Sequence, residues 1–292
     1  MATLMPEKLA ALVDDQPNEF RVSTSAYRSE AMFQQELDNI FYKTWIYLCH
    51  ESEIAQPGDF KSTQIGTRPV IVSRGRDGQI HAVLNACTHR GATICREETG
   101  NTRAFVCPYH GWSFRPSGEL IGIPDDGRYP QCFNKADKHL KAVPRIASYG
   151  GLVFGSFNPD VEPLETFLGG AKQHIDIWLK RTAGSRYRVT TSHKYGYDGN
   201  WKFQVENVCD GYHPGFVHRS AFNTVQKFAG RSRTARWARR CASRVIRAVI
   251  RRAMARLRPA RRWSRAGSTP PLARRTTTSW SSFMVRTGQP RC

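Results

Sequence analysis

The sequence has no Asp or Glu after Asp210 and no Lys after Lys227, although it continues to residue 292. It also has no apolar run that approaches the roughly 18 residues a membrane-spanning helix needs. The N-terminus has neither the basic segment nor the long apolar core of a secretory signal. We therefore expect no membrane partner and a cytoplasmic location.

The formal net charge of +20 comes from the C-terminal part of the chain. Residues 1–229 carry 26 Lys and Arg against 24 Asp and Glu, whereas residues 230–292 carry 18 Arg and no Lys, Asp or Glu. The basic character is therefore a property of this last segment, and the preceding part predicts no nucleic-acid partner.

Three interpretations of residues 230–292 stay open. Dense Arg neutralises phosphates, which suits a nucleic-acid-binding tail. Apolar residues recur among the arginines at near-helical spacing, which suits a basic amphipathic helix. In a shifted reading frame of a GC-rich gene, Arg codons accumulate while Lys, Asp and Glu codons vanish. The abrupt change in composition favours this third interpretation, an aberrant or disordered tail.

Two short segments each combine one Cys with one His. They are Cys87-Thr88-His89 and Cys107-Pro108-Tyr109-His110, with seventeen residues between them. A two-iron, two-sulfide cluster with two Cys on one iron and two His on the other needs two loops that each supply one ligand of either kind. Neutral imidazoles raise the reduction potential of such a cluster to roughly −150 to +300 mV. The pattern therefore predicts a [2Fe-2S] cluster that carries single electrons.

A zinc site is the alternative, because zinc binds the same ligand types tetrahedrally. Structural zinc sites usually pair Cys with Cys and His with His, whereas both segments here are mixed. A Gly follows each pair, at Gly91 and Gly111, as suits two tight turns over a buried cluster. The mixed segments favour iron and sulfide over zinc. Cys95 is expected to be a buried thiol, because the four ligands are complete without it.

A second motif combines acidic residues with two His. It begins at Glu206-Asn207 and includes Asp210, His213 and His218. A helix that ends near Pro214 would present Asp210 and His213 on one face, and the turn after it would bring His218 to the same point. Two imidazoles and one carboxylate are the ligands of non-haem Fe(II) oxygenases, which keep positions open for dioxygen. Alone, such a trio is typical of ordinary surface or core residues, but the cluster motif upstream favours an iron site.

With both motifs in this order, the chain resembles the large (α) subunit of the Rieske non-haem iron aromatic ring-hydroxylating dioxygenases, over about residues 19–228. The sequence around the motifs, such as residues 45–54 and 107–114, is most similar to the benzoate, toluate and anthranilate branch. The resemblance implies an α+β fold, with a Rieske-type antiparallel β domain inserted in a helix-grip catalytic domain that is incomplete here.

The resemblance also implies roles for seven residues. Asp210 is then not an iron ligand: it hydrogen-bonds the first iron His and, across a subunit boundary, the Rieske His of a neighbouring chain. The cluster ligands are Cys87, His89, Cys107 and His110, and the ligands of a mononuclear Fe(II) are His213 and His218.

The implied activity needs several partners. NADH reduces a separate flavin and iron–sulfur reductase, which delivers single electrons to the cluster. The electrons reach Fe(II) on a neighbouring α subunit, where O₂ and an aromatic substrate, expected to be an aryl carboxylate, give a cis-dihydrodiol. The implied assembly contains small (β) subunits as well, in an α3β3-like complex.

The absence of Asp and Glu after Asp210 affects the predicted iron site. In the family, the third iron ligand is a carboxylate that lies well over a hundred residues after the second His, and this sequence has none to match it. We therefore expect that the chain holds the cluster and binds mononuclear iron weakly or not at all, which would leave it inactive on its own as a truncated or frameshifted product.

Periodicity predicts the arrangement of elements. We expect helices over Glu7–Val13, Tyr27–Tyr42, Glu165–Leu179 and Trp201–Tyr212. Short β-runs between Thr44 and Pro159 predict an antiparallel β domain, with hairpins at residues 76–78 and 116–118, and further strands are expected near Arg186–Tyr197. The expected parts are 1–43 (N-terminal helices of the catalytic domain), 44–159 (Rieske domain), 160–229 (first part of the catalytic domain) and 230–292 (the tail).

A stand-alone Rieske electron carrier is the alternative function. Such a carrier needs neither the helices before the β domain nor the motif from Glu206 to His218, so their presence favours the oxygenase.

Overall fold

The computed structural model of the chain describes residues 11–16, 19–182, 187–190 and 192–229. They form two compact units. One contains the described residues up to Ile40 together with those from His193 onwards, and the other runs from Phe41 to Ser192. Both contain helices, and every strand pair is antiparallel, so the predicted α+β class is confirmed. None of the described helices is long and apolar enough to cross a bilayer.

The N-terminal part of the first unit is a hairpin followed by two helices. Strands β1 (Val13–Asp15) and β2 (Phe20–Val22) pair, and helices α1 (Ser25–Arg28) and α2 (Glu30–Glu36) follow. The predicted helix over Tyr27–Tyr42 is therefore broken at Ser29, where the side chain caps α2 by accepting the Met32 N–H at 3.3 Å. The predicted helix Glu7–Val13 begins outside the described residues, and Val13 itself lies in a strand.

The second unit is built from three antiparallel sheets, with strand orders β6-β5-β4-β7, β11-β12-β3 and β10-β9-β8. The strands are β3 (Ile46–His50), β4 (Asp59–Ile65), β5 (Arg68–Arg74), β6 (Ile80–Leu84), β7 (Thr99–Asn101), β8 (Phe105–Val106), β9 (Ser113–Phe114), β10 (Leu120–Gly122), β11 (Arg145–Tyr149) and β12 (Leu152–Ser156).

Strand β5 is buried on both faces. Val70 and Val72 point into a core shared with Val153 of β12, whereas Ile71 points into a second core that contains Phe114. This explains the continuous apolar run Val70–Val72, because a strand covered on both sides needs no polar face. The second core also contains both predicted ligand cysteines, so the packing of the sheet and of the cluster region is continuous.

Helices α3 (Leu164–Leu168) and α4 (Ala171–Leu179) follow the sheets. Together they correspond to the predicted helix Glu165–Leu179, which is interrupted at Gly169, a residue with φ of +47°. The predicted hairpins at residues 76–78 and 116–118 are confirmed as the β5–β6 and β9–β10 connections. Three strands of this unit were not predicted, namely β7, β10 and β11.

The described C-terminal residues of the first unit are helical from Trp201 onwards, apart from short turns. They contain α5 (Trp201–Cys209), α6 (Pro214–Val217) and α7 (Arg219–Ala229). The predicted strands near Arg186–Tyr197 are wrong for the described residues there, 187–190 and 192–197, which are irregular. Alternating apolar side chains alone do not make a strand when no neighbouring strand pairs with them.

Candidate metal centres

The first Cys/His segment forms a tight loop between β6 and β7. The Cys87 N–H donates to the Ala92 carbonyl at 2.8 Å, and the Gly91 N–H donates to the Cys87 carbonyl at 2.7 Å. Gly91 has φ of +74°, a conformation that favours glycine. The loop buries Cys87 and brings His89 to the same end of the β domain.

The second segment repeats this hydrogen-bond pattern. The Cys107 N–H donates to the Trp112 carbonyl at 2.8 Å, and the Gly111 N–H donates to the Cys107 carbonyl at 2.9 Å. Gly111 has φ of +69°, and a Cβ there would lie 2.8 Å from Pro124. The two loops thus share one backbone design, in which a Gly four residues after each Cys closes the turn.

The two loops sort their ligand candidates by kind. Cys87 and Cys107 lie in the same buried core, where Cys107 contributes to the raised pKa of Cys87, and the His89 and His110 rings lie with centroids 4.7 Å apart. Each segment contains one Cys and one His along the sequence. In the folded structure, however, Cys lies near Cys and His lies near His. Two separate pairs fit the two irons of a [2Fe-2S] cluster.

A single tetrahedral zinc ion would require all four donors to converge on one point. Within the part of the chain that the structure describes, no three His, Cys, Asp or Glu side chains converge in a way that could hold one metal ion. Two separate pairs of donors suit the two-iron cluster better than a single zinc ion.

Burial shifts the pKa of one donor of each kind toward its neutral form, which suits the imidazole, whereas the thiol must lose its proton to bind metal. Burial raises the pKa of the Cys87 thiol to about 11, while the backbone N–H groups of His89 and Arg90 point at its sulfur and act in the opposite direction. Burial, aided by the neighbouring His110 and Arg90, lowers the pKa of His89. The neutral imidazole is the form that binds metal.

One nitrogen at this site has no protein partner. The His89 Nδ1 atom is buried and makes no hydrogen bond to any described residue. A buried polar atom without a partner is costly unless a ligand satisfies it. The residues present therefore fit a bound cluster, with His89 Nδ1 as a donor atom toward it.

Trp112 and Cys95 border this site without joining the donor set. The buried Trp112 indole stacks on the His89 ring, with centroids 4.9 Å apart and an angle of 8°. The Cys95 sulfur contacts the Ser62 hydroxyl at 3.6 Å and the Glu97 carbonyl at 3.5 Å. These contacts agree with the expectation that Cys95 is an ordinary buried thiol.

The second motif spans the end of α5 and the turn after it. Helix α5 ends at Cys209, not near Pro214 as expected, because the Asp210 backbone leaves the helix. The Asp210 carboxylate accepts the Tyr212 N–H at 2.7 Å and lies 3.2 Å from His213 Nδ1. The contact between Asp210 and His213 thus arises from a turn and not from one helix face.

His213 and His218 lie at the two ends of helix α6. Pro214 opens this single turn, and the two rings approach with centroids 5.3 Å apart. The hydrogen bond from the Tyr212 N–H lowers the pKa of Asp210, and the hydrogen bond from His213 lowers it further. The carboxylate is therefore charged at neutral pH. It orients the His213 ring through Nδ1, which leaves Nε2 available to a metal.

Sequence reasoning missed the residues that anchor α5. The buried Glu36 of α2 accepts the Trp201 indole N–H at 2.8 Å and forms an ion pair with the buried Lys202. Tyr27 stacks on Phe203, with centroids 4.7 Å apart, and donates its hydroxyl to Glu206 at 2.7 Å. No local pattern signals these contacts, because they join residues more than 160 positions apart.

The comparisons with known proteins identify both halves of the chain. A model of the Rieske [2Fe-2S] domain matches residues 44–144. A model of the ring hydroxylating alpha subunit (catalytic domain) matches residues 184–290. The second match extends across residue 230 into the Arg-rich segment, which lies outside the described residues, and the assignment of that segment stays a prediction.

Curated relatives include large subunits of two dioxygenases. The chain is 43% identical to the 2-halobenzoate 1,2-dioxygenase large subunit of Burkholderia cepacia, over 74% of this chain and 46% of the relative. It is 41% identical to the toluate 1,2-dioxygenase subunit alpha of Pseudomonas putida, over 74% and 49%. The chain therefore spans about half the length of the curated relatives it matches.

Solved structures of two ring dioxygenases are also similar to the chain. Naphthalene 1,2-dioxygenase with indole bound in its active site matches with a TM-score of 0.65 and 38% identity, over 74% of this chain and 47% of that one. The enzyme from Rhodococcus sp. bound to indole gives a TM-score of 0.66 and 35% identity, over 74% and 49%.

Proposed function

We propose that the chain is the large subunit of an aromatic ring dioxygenase, in the family of ring-hydroxylating alpha subunits that carry a Rieske [2Fe-2S] domain. The proposed substrate is an aryl carboxylate and the proposed product is a cis-dihydrodiol. The halobenzoate and toluate relatives support the substrate class. The observation that carries the proposal is the sorting of Cys87 with Cys107 and of His89 with His110.

When bound, the cluster supplies one-electron transfer and the mononuclear Fe(II) supplies open positions for dioxygen. Cys87 and Cys107 would hold one iron of the cluster, and His89 and His110 the other. The Trp112 indole covers one face of the His89 ring and keeps water from it.

Asp210 would orient the first iron ligand. It holds the proton of His213 Nδ1 through the 3.2 Å contact, so Nε2 of this ring would be free to hold the metal together with His218. We further propose that Asp210 bonds the Rieske His of a neighbouring α subunit and so links the two centres of different chains.

The proposal includes partners beyond this chain. A β subunit and further α subunits would form an α3β3-like complex, and a flavin and iron–sulfur reductase would supply electrons from NADH. All of these components are expected in the cytoplasm.

The iron site needs one more donor than this sequence provides. His213 and His218 supply two imidazoles, and the sequence has no carboxylate after Asp210. We therefore expect the 292-residue chain to bind the two cluster irons and to bind a third iron weakly or not at all.

The test is to reconstitute the chain anaerobically and to measure iron, acid-labile sulfide and zinc, with the electron paramagnetic resonance spectrum after dithionite. We expect two irons, two sulfides and a reduced-Rieske signal with a low average g. Cys107→Ser should lose the sulfide, whereas the matched control Cys95→Ser should keep it. Zinc without sulfide would overturn the proposal, and three irons per chain would contradict the expected weak third site.

A further inference from the structure

Asn85 lies directly after β6 and two residues before Cys87. Its side chain is 5% exposed and makes three hydrogen bonds. The amide nitrogen donates to the Cys95 carbonyl at 2.7 Å, and the amide oxygen accepts the N–H groups of Ile94 at 3.1 Å and Cys95 at 2.9 Å. One side chain thus joins the two ends of the first Cys/His loop.

The partners fix which way this amide points. A backbone carbonyl only accepts and a backbone N–H only donates, so the nitrogen of Asn85 must face the Cys95 carbonyl. Asp would keep both N–H contacts but would turn a carboxylate oxygen toward that carbonyl. Among side chains of this length, only the carboxamide satisfies all three partners.

Closing the loop controls what surrounds the Cys87 sulfur. The backbone of Asn85 is tied to the sheet through its N–H, which donates to the Pro69 carbonyl at 3.0 Å. With both ends held, the loop keeps its own bonds from the Cys87 N–H to the Ala92 carbonyl and from the Gly91 N–H to the Cys87 carbonyl, which fix the backbone around the Cys87 sulfur. Hydrogen bonds to the sulfurs are among the factors that set the potential of an iron–sulfur cluster.

We propose that Asn85 is a positioning residue for the cluster, which raises its reduction potential and slows its loss by holding the first loop closed. This inference rests on the proposed function, since it assumes that the loop holds a [2Fe-2S] cluster. Asn85 does not contact the cluster ligands through its own side chain, so it acts through the backbone that it organises.

The test uses the full 292-residue chain with Asn85→Asp, Asn85→Ser and the control Asn134→Asp. Asn134 is exposed, and its side-chain oxygen accepts the Ala136 N–H at 3.0 Å, a bond that Asp makes equally well. Measurements are the reduction potential, the g values of the reduced cluster, and the half-life of the visible absorption in a chelator. Asn85→Ser adds no charge. A shift of the reduction potential or of the g values in this variant therefore results from the changed loop and not from a new carboxylate.

Both Asn85 variants should have a lower potential, shifted g values and a cluster half-life that is roughly ten-fold shorter, because a buried hydrogen-bond partner is lost. Asn134→Asp should match the original chain. If Asn85→Asp does not fold, Asn85→Ser decides the question through the same measurements. A potential and g values equal to those of the original chain in Asn85→Ser would overturn the inference. An original chain that holds no sulfide would instead refute the proposed function.

Discussion

The His89 imidazole lies flat against the Trp112 indole, at 4.9 Å between centroids and an angle of 8°. The stack joins the first Cys/His loop to the residue that closes the second one, since the Trp112 carbonyl accepts the Cys107 N–H. Phe133 contacts the indole in an edge-to-face arrangement, with ring centroids 6.1 Å apart. Trp112 therefore fixes the plane of a predicted ligand ring and forms part of the core beneath it.

Replacing Trp112 by Leu should loosen His89. We expect the free energy of unfolding to fall by about 2 kcal/mol, because the indole fills a buried site and its stacking is lost. The cluster should also bleach several times faster in air, since water reaches the His89 ring. Visible absorption against time measures the second effect.

Trp178→Leu is the matched control for this prediction. Trp178 also stacks on a ring, that of Tyr187 at 3.8 Å, but it is 41% exposed. Its replacement should leave the bleaching rate unchanged. Equal rates for Trp112→Leu and the original chain would show that the stack does not protect the cluster.

Asp210→Asn should weaken metal binding by His213 and His218. The change removes the negative charge that holds the Nδ1 proton of His213, and loss of such a partner typically costs about 10–100-fold in metal affinity. Cobalt(II), followed by its visible bands, is a suitable probe because two imidazoles alone bind it weakly but measurably. The control is Asp198→Asn, at an exposed position of the same unit.

An unchanged cobalt affinity in Asp210→Asn would contradict the role of this carboxylate in orienting His213. A loss of affinity in both variants would point to the overall charge of the unit instead.

The cluster loops were predictable because their signal is local. The ligand types, their spacing and the Gly after each pair all lie within short segments, and the structure explains both glycines by positive φ at Gly91 and Gly111. The strands around them were predictable for the same reason, since continuous apolar runs such as Val70–Val72 mark buried strands. The cluster ligands themselves stay a prediction.

The residues that hold the two motifs in place were not predictable from the sequence. Asn85 reads as an ordinary turn residue until its partners at Ile94 and Cys95 are seen. Glu36 and Lys202 lie 166 positions apart, and charged residues are usually exposed. The error on α5 has a similar origin, because the pattern continues past Cys209 while the Asp210 side chain instead bonds the turn after it.

Breaking the buried ion pair between Glu36 and Lys202 should be costly. Glu36→Leu leaves the Lys202 ammonium buried without its partner carboxylate, and such changes cost about 3–5 kcal/mol. We also expect faster hydrogen exchange at the amides of α5, because Glu36 holds both Trp201 and Lys202 of that helix. Urea unfolding and hydrogen exchange measure the two effects.

Two variants make this prediction specific. The double variant E36L/K202L should recover most of the lost stability, because no charge then stays buried without a partner. The control is Glu30→Gln on the same helix α2, where the exposed side chain accepts a hydrogen bond from Gln34 at 2.8 Å. A double variant as unstable as Glu36→Leu alone would show that lost packing, and not the unpaired charge, is responsible.

Tyr27 should make the first unit sensitive to alkaline pH. Burial first, and the hydrogen bond to Glu206 second, raise the pKa of the Tyr27 phenol above its usual range. The folded state therefore keeps the phenol proton at a pH where the unfolded chain has released it, near 10. The stabilisation is complete below that pH and is lost as the pH rises through the raised pKa.

Above about pH 10, the original chain should lose stability more steeply than Tyr27→Phe, by at most about 1.4 kcal/mol per pH unit and less where solvent screens the pair. Tyr195→Phe removes the same hydroxyl from a side chain that is 89% exposed, so its profile should follow the original chain. Parallel profiles for all three chains would mean that the Tyr27 proton does not contribute to the docking of α5.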